Sequence, residues 1–191
     1  AVLNRLIQEL RELNPDLKIM PRIDNSSVVE AMLLSAEADL GLLEGEIHSP
    51  DLVAKPFMED ELILICSPAH PWAEKGAIRA EELKHQGFIV REEGSGTREV
   101  FASVMLAHKI PWKIAGIHNN PESTKNAVAA GLGIAVISKL LVQKEIERGE
   151  LVPVTVHGLS FKRHFHVVHH KNKYFSTGMK QFMDLCCLNL Y

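Results

Sequence analysis

The residues whose types and spacing carry the clearest chemistry are Gly94-Ser95-Gly96-Thr97-Arg98. They follow an apolar stretch, Gly87–Val90, and open a helical one from about Thr97 to His108. Backbone N–H groups at a helix start, two hydroxyls and the positive end of the helix dipole would converge there on an anion, and the glycines let a ligand approach the main chain. No Gly-Lys-Ser/Thr follows, so this is not a Walker-type phosphate loop, and the third glycine of a dinucleotide fingerprint is lacking. The plain alternative is a tight strand-to-helix turn in which Ser95 or Thr97 only caps the helix. Asn25-Ser26-Ser27 and Asn119-Asn120-Pro121-Glu122-Ser123-Thr124 repeat the chemistry at two other expected strand ends, and Ser138-Lys139 is a weaker fourth instance. Ligands of open α/β sheets bind beyond the carboxyl ends of strands, so three polar helix starts could face one cleft.

Other clusters carry less. His164, His166, His169 and His170 form the densest histidine group. His164 and His166 would share a strand face, but no cysteine or paired carboxylate lies nearby in sequence, so a solvated face is expected and no metal site is assigned. Cys186-Cys187 belongs to a final helix, with Cys186 in its packed stripe, and Glu59-Asp60-Glu61 reads as a solvated charge run before a strand. There is no Gly-x-Ser-x-Gly elbow and no His-Glu-x-x-His, so no catalytic residue is assigned and the chain is read as a non-enzyme without a cofactor.

The elements that must position these residues alternate. Leu3, Leu6, Ile7, Leu10 and Leu13 recur at helical spacing until Asn14-Pro15 stops the run. A strand over Leu17–Ile23, a helix from Val28 to about Ala36 and a buried parallel strand at Ala38–Leu43 follow. Glu61–Cys66 is another buried strand, and it runs into Ser67–Trp72, where two prolines exclude regular structure. Beyond it come strand 87–90, helix 97–108, strand 113–118, helix 122–130, strand 133–137, helix 139–148 and strand 151–154. Gly131 and Gly149 stand where glycines follow helix ends. The tail holds a strand at His164–His169 and a last helix carrying Met179, Phe182, Met183 and Cys186. This order predicts two α/β lobes dominated by parallel strands, joined by two crossovers with a cleft between them. Lobe I takes residues 1–66 plus 160–191 and lobe II takes 67–159.

Composition bounds the function. With 191 residues, 46% hydrophobic and 24% charged, the chain is globular, and 24 acidic against 21 basic residues give a net charge of −3. No basic stripe suits DNA, and no apolar run approaches a membrane span. Three cysteines without a CxxC pair argue for a reducing compartment, the cytoplasm.

The succession resembles the effector-binding domain of LysR-type transcriptional regulators over essentially the whole chain. Leu10-Arg11-Glu12-Leu13-Asn14-Pro15 and Glu37-Ala38-Asp39-Leu40-Gly41-Leu42 look like the family's helix-to-Pro turn and Asp-Leu-Gly strand. Ser67-Pro68-Ala69-His70-Pro71-Trp72 looks like its post-hinge segment, and Ala127-Val128-Ala129-Ala130-Gly131-Leu132-Gly133-Ile134-Ala135 like its Gly-x-Gly signature. The resemblance implies an α/β fold of two Rossmann-like lobes with a hinge and interlobe cleft, of the type 2 periplasmic-binding-protein-like kind, that binds a small anionic metabolite at Ser26, Ser27, Glu44, Ser95, Gly96, Thr97 and Asn119. It also implies a homodimer or homotetramer, in which the Leu3–Leu13 helix and the strand after it pack antiparallel against the second lobe of a second copy, near the Glu122–Ala130 helix. DNA would be bound only through an N-terminal winged helix-turn-helix, which this chain lacks together with the family's first strand. Arg91–Arg98 looks most like regulators of sulfur assimilation or carbon fixation. An exported solute-binding protein and a small metabolic enzyme acting on an anionic substrate are the alternatives.

Overall fold

The structure is a computed structural model and describes residues 2–188. In chain order its helices and strands are α1 (Val2–Leu13), α2 (Ser26–Leu34), β1 (Gly41–Glu44), β2 (Leu52–Cys66), α3 (Pro71–Lys75), β3 (Ala77–Arg79), β4 (Gly87–Arg91) and α4 (Gly96–Ala107). They continue as β5 (Lys113–His118), α5 (Pro121–Ala129), β6 (Ala135–Ser138), α6 (Lys139–Glu147), β7 (Val152–His157), β8 (Phe161–His170) and α7 (Thr177–Leu188). The chain divides into two compact units, 1–59 with 164–191 and 60–163. The sequence places the crossings at 66/67 and 159/160, near strand ends; the units change over at 59/60 and 163/164, inside β2 and β8.

In the first unit β1 pairs antiparallel with β8, Gly41 opposite Val168 and Glu44 opposite Phe165. Adjacent residues of a strand face opposite ways, so Val167 and Val168 enter different cores. Val167 packs with Leu6 and Leu10 of α1 and Phe182, Leu185 and Cys186 of α7, whereas Val168 packs with Leu33 of α2, Leu43 and Leu52. Helices therefore cover both faces. The strand expected over Leu17–Ile23 is not formed: Leu17 and Ile19 pack half-buried against the first core, while Met20 is 92% and Ile23 84% exposed, and no ladder partner is present among the described residues.

In the second unit β6 and β7 both pair antiparallel with β2, β3 runs parallel to β7, and β4 runs parallel to β5. The same alternation divides two cores. Leu62, Leu64, Phe88, Val90, Phe101 and Met105 pack on one side, and Ile65, Ile89, Val128, Ile137, Val142 and Leu151 on the other. The expected dominance of parallel strands is corrected here. An apolar run reports burial on both faces and not strand direction, and the crossing strands β2 and β8 run opposite to β6, β7 and β1 beside them.

Ser67–Trp72 is corrected as well. Pro71 is the first helical residue of α3, where a missing N–H costs nothing, and His70 Nδ1 accepts from Trp72 N at 3.2 Å. Gly131 and Gly149 sit just past α5 and α6 with φ of 76° and 69°, the left-handed turn that ends a helix.

Candidate functional site

Four helix starts follow strands or polar turns, and they differ in how they are capped. At α2, Asn25 Oδ1 accepts from Val28 N at 3.1 Å, and at α5, Asn120 Oδ1 accepts from Ser123 N at 2.9 Å. Both asparagines satisfy their own helices. At α4 the N-cap Ser95 is extended, and its side chain makes no capping hydrogen bond. The first turn brings the N–H groups of Gly96, Thr97 and Arg98 to the positive end of the helix dipole. Gly94, with φ of 82°, turns the chain from β4 into it.

The expected site residues fall in both units. Ser26, Ser27 and Glu44 belong to the first: Ser26 is buried with its Oγ donating to the Glu44 carbonyl at 3.4 Å, and Ser27 is exposed. Ser95, Gly96 and Thr97 are buried in the second unit, where Asn119 is exposed. The Asn119 carbonyl accepts from Arg91 Nη2 at 3.3 Å, and Arg91 also grips Glu92 through two bonds of 2.8 and 2.9 Å.

The most constrained polar group is one that the composition hid. Arg163 donates through Nε and Nη2 to Asp60 Oδ2, both at 2.7 Å, and through Nη1 to Thr97 Oγ1 at 2.8 Å. Ser138 Oγ donates to Asp60 Oδ1 at 2.8 Å. The side chains of Arg163 and Asp60 are 2% and 0% exposed. Asp60 is therefore not part of a solvated charge run. Its parity with Leu62 and Leu64 turns it inward, as that of Phe161 turns Arg163 inward, and the two charges meet. That shared parity was the available signal.

Thr97 and Arg91 line a cavity of about 20 Å³ together with Pro121 and Thr124 of α5 and Leu141 of α6, space for about one water. α5 and α6 are tied beside it. Lys125 Nζ lies 2.6 Å from both Glu122 and Glu145 and 3.2 Å from the Leu141 carbonyl. Burial opposes the Lys125 charge, yet the bonds to Glu122 and Glu145 outweigh it and raise its pKa, while the hydrogen bond from Lys125 holds the Glu145 carboxyl below its ordinary value. A depressed carboxylate stabilises the fold above its unfolded pKa and loses that contribution as pH falls through the folded one. Glu145→Gln is accordingly expected to lower stability by about 1 kcal/mol at neutral pH, and the difference from the parent should fade in urea titrations as pH falls below the ordinary glutamate range.

The remaining expectations sort simply. His164 is exposed and stands 3.6 Å from Glu59, but His166 is half-buried with a buried Nδ1 that lacks a partner, so the histidine face is only partly solvated. Among the described residues no group of three His, Cys, Asp or Glu could hold a metal ion, and no helix is long and apolar enough to cross a membrane. The cysteines are free. Cys186 is buried in α7, and burial, with the Cys187 charge beside it, pushes its thiol up to about 12.

A mixed α/β sheet covered by helices on both faces, carrying polar helix starts at strand ends, defines a small-ligand-binding domain of the periplasmic-binding-protein-like type. The family model described as the LysR substrate binding domain matches residues 1–187, and the chain belongs to that family. It is 33% identical over 185 residues to the uncharacterized HTH-type transcriptional regulator YeiE of Escherichia coli K12, covering 97% of this chain and 63% of that protein. It is 30% identical to the transcriptional regulator CysL of Bacillus subtilis over 88% of this chain and 56% of that one. The chain thus spans less than two thirds of the length of these relatives. Among solved structures, the regulatory domain of Synechocystis CcmR, in complex with 2-PG, superposes with a TM-score of 0.89 at 27% identity, covering 98% of this chain and 90% of that one. The effector-binding domain of QuiR, in complex with shikimate, shares the fold with a TM-score of 0.87 at 19% identity, covering 97% and 88%.

Proposed function

We propose that this chain senses a small anionic metabolite on behalf of a cytoplasmic LysR-type transcription regulator. Ser26, Ser27, Glu44, Ser95, Gly96, Thr97 and Asn119 are the residues assigned to effector contact. The observation that carries this reading is the start of α4, a helix N-terminus that Ser95 does not cap, where the Thr97 hydroxyl accepts from a buried arginine. The ligands of the CcmR and QuiR domains, 2-PG and shikimate, are likewise small molecules. DNA is contacted by a separate helix-turn-helix domain, as the relatives' description as HTH-type regulators supports.

A thermal-shift screen of small phosphates, sulfate and carboxylates, with 2-PG and shikimate included, tests the sensing role. A ligand present at about 100-fold its Kd should stabilise the chain by about 2.7 kcal/mol, and Thr97→Ala should remove most of that shift. The role at this loop fails if no compound stabilises the chain and Ser95→Ala and Thr97→Ala leave effector-dependent transcription by the full-length protein intact.

Self-association is part of the proposal. Met20 and Ile23 in the first unit, and Ile114 and Ile117 on β5, with exposures of 48% and 58%, offer apolar surface for a homodimer or homotetramer. Sedimentation should show a concentration-dependent dimer, and a strict monomer at all concentrations would remove this part.

A further inference from the structure

Asp60 is the first residue of the second unit and Arg163 is its last, so the buried pair sits on the two strands by which the chain enters and leaves that unit. The same guanidinium holds Thr97 in the first turn of α4, and the second Asp60 oxygen holds Ser138 at the start of α6. Four side chains from β2, β8, α4 and β6 thus form one connected group, with both carboxylate oxygens and all three guanidinium nitrogens engaged. Such a group has little slack. A buried charge pair is poorly solvated, so moving one member alone exposes its partner to an apolar core at high cost.

We propose that Arg163 is a positioning residue that couples the α4 start to the two crossing strands. Its charge-assisted bond fixes the rotamer of Thr97 and polarises the hydroxyl toward donating its own proton, which is the sense an anionic ligand requires. An acceptor arriving at Thr97 pulls on the same oxygen that Arg163 holds, and Asp60 transmits the adjustment to β2 while Arg163 transmits it to β8. Occupancy of the loop then registers where one unit continues into the other, and the element it biases is the pair of crossing strands. The inference rests on Thr97 belonging to the effector site, but its test contains no ligand and is decided by the coupling alone.

The test is amide hydrogen exchange on the chain carrying Thr97→Val, which keeps the side-chain shape and removes the oxygen while leaving the Asp60–Arg163 pair intact. Amides around Asp60 and Arg163 should exchange about tenfold faster, measured against the amides of α1 as an internal reference for global unfolding. Thr97→Ser keeps the oxygen and should restore the parent rates. Thr124→Val is the control, because Thr124 is also buried at a helix start and lines the same cavity but bonds the Asn120 carbonyl instead. Unchanged rates around Asp60 and Arg163 in Thr97→Val, or an equal acceleration in Thr124→Val, would overturn the proposal.

Discussion

Arg163→Met is expected to destabilise the chain by about 3–5 kcal/mol, because it strands the Asp60 carboxylate in a site where its side chain has no exposure. Ser138 would remain as a hydrogen-bond donor to one oxygen, which does not replace a guanidinium held at 2.7 Å. Asp60→Leu combined with Arg163→Met removes both charges and fills the volume with apolar atoms, so it should recover much of the loss. What remains is the hydroxyls of Ser138 and Thr97 deprived of their partners, at about 1–3 kcal/mol for each that stays buried and unsatisfied. Urea midpoints measured at constant slope decide the matter. If the double variant is no better than the single, the cost lies in lost packing and the charge pair is not what holds this group together.

The elements around that pair divide by what kind of signal carries them. The limits of α4, α5 and α6 agree with the sequence reading to about one residue, because local rules set them: a polar residue before the first turn, apolar residues at a spacing of three and four and, after α5 and α6, a glycine past the last turn. The first half of β2 was illegible for the opposite reason. Leu52–Glu59 includes Lys55 and Pro56 and is mostly exposed, and what makes it a strand is pairing across long sequence separations. β3 has three residues, too few for any alternation to show. Strand direction escaped in the same way, since β1 and β6 read as apolar runs whichever way their neighbours point.

The site was legible as chemistry and not as architecture. Polar residues at helix starts were identified, yet the sequence could not tell that Asn25 and Asn120 are consumed by their own helices while Ser95 is not. Composition treated Asp60 as one of three neighbouring acids, although strand parity sets it with Leu62 and Leu64 and sets Arg163 with Phe161. An acid and a base that both point into an apolar core have to find each other, because neither can remain charged there alone. Parity on two separate strands was therefore better evidence for the pair than any local motif.

Phe101→Ala should cost about 3–5 kcal/mol and should weaken ligand binding at the α4 start as well. Phe101 is 3% exposed, with ring centroids 4.7 Å from Phe88, 4.8 Å from Trp112 and 6.2 Å from Phe161. Thr97, Phe101 and Met105 recur every four residues and are all buried, so the face of α4 that enters this aromatic cluster is also the face that presents Thr97 to Arg163. Phe161 lies two residues before Arg163 on β8 and turns to the same side. Cutting the ring away thus loosens both elements whose contact fixes the Thr97 hydroxyl. Phe101→Leu keeps most of the buried volume and should return most of the stability. Leu106→Ala, on the exposed side of α4 at 80%, should cost less than about 0.5 kcal/mol. Ligand-dependent thermal shifts measured for the three variants separate stability from binding. A Phe101→Ala chain that unfolds earlier but keeps the parent's full ligand shift would show that the aromatic cluster holds the fold without setting the site.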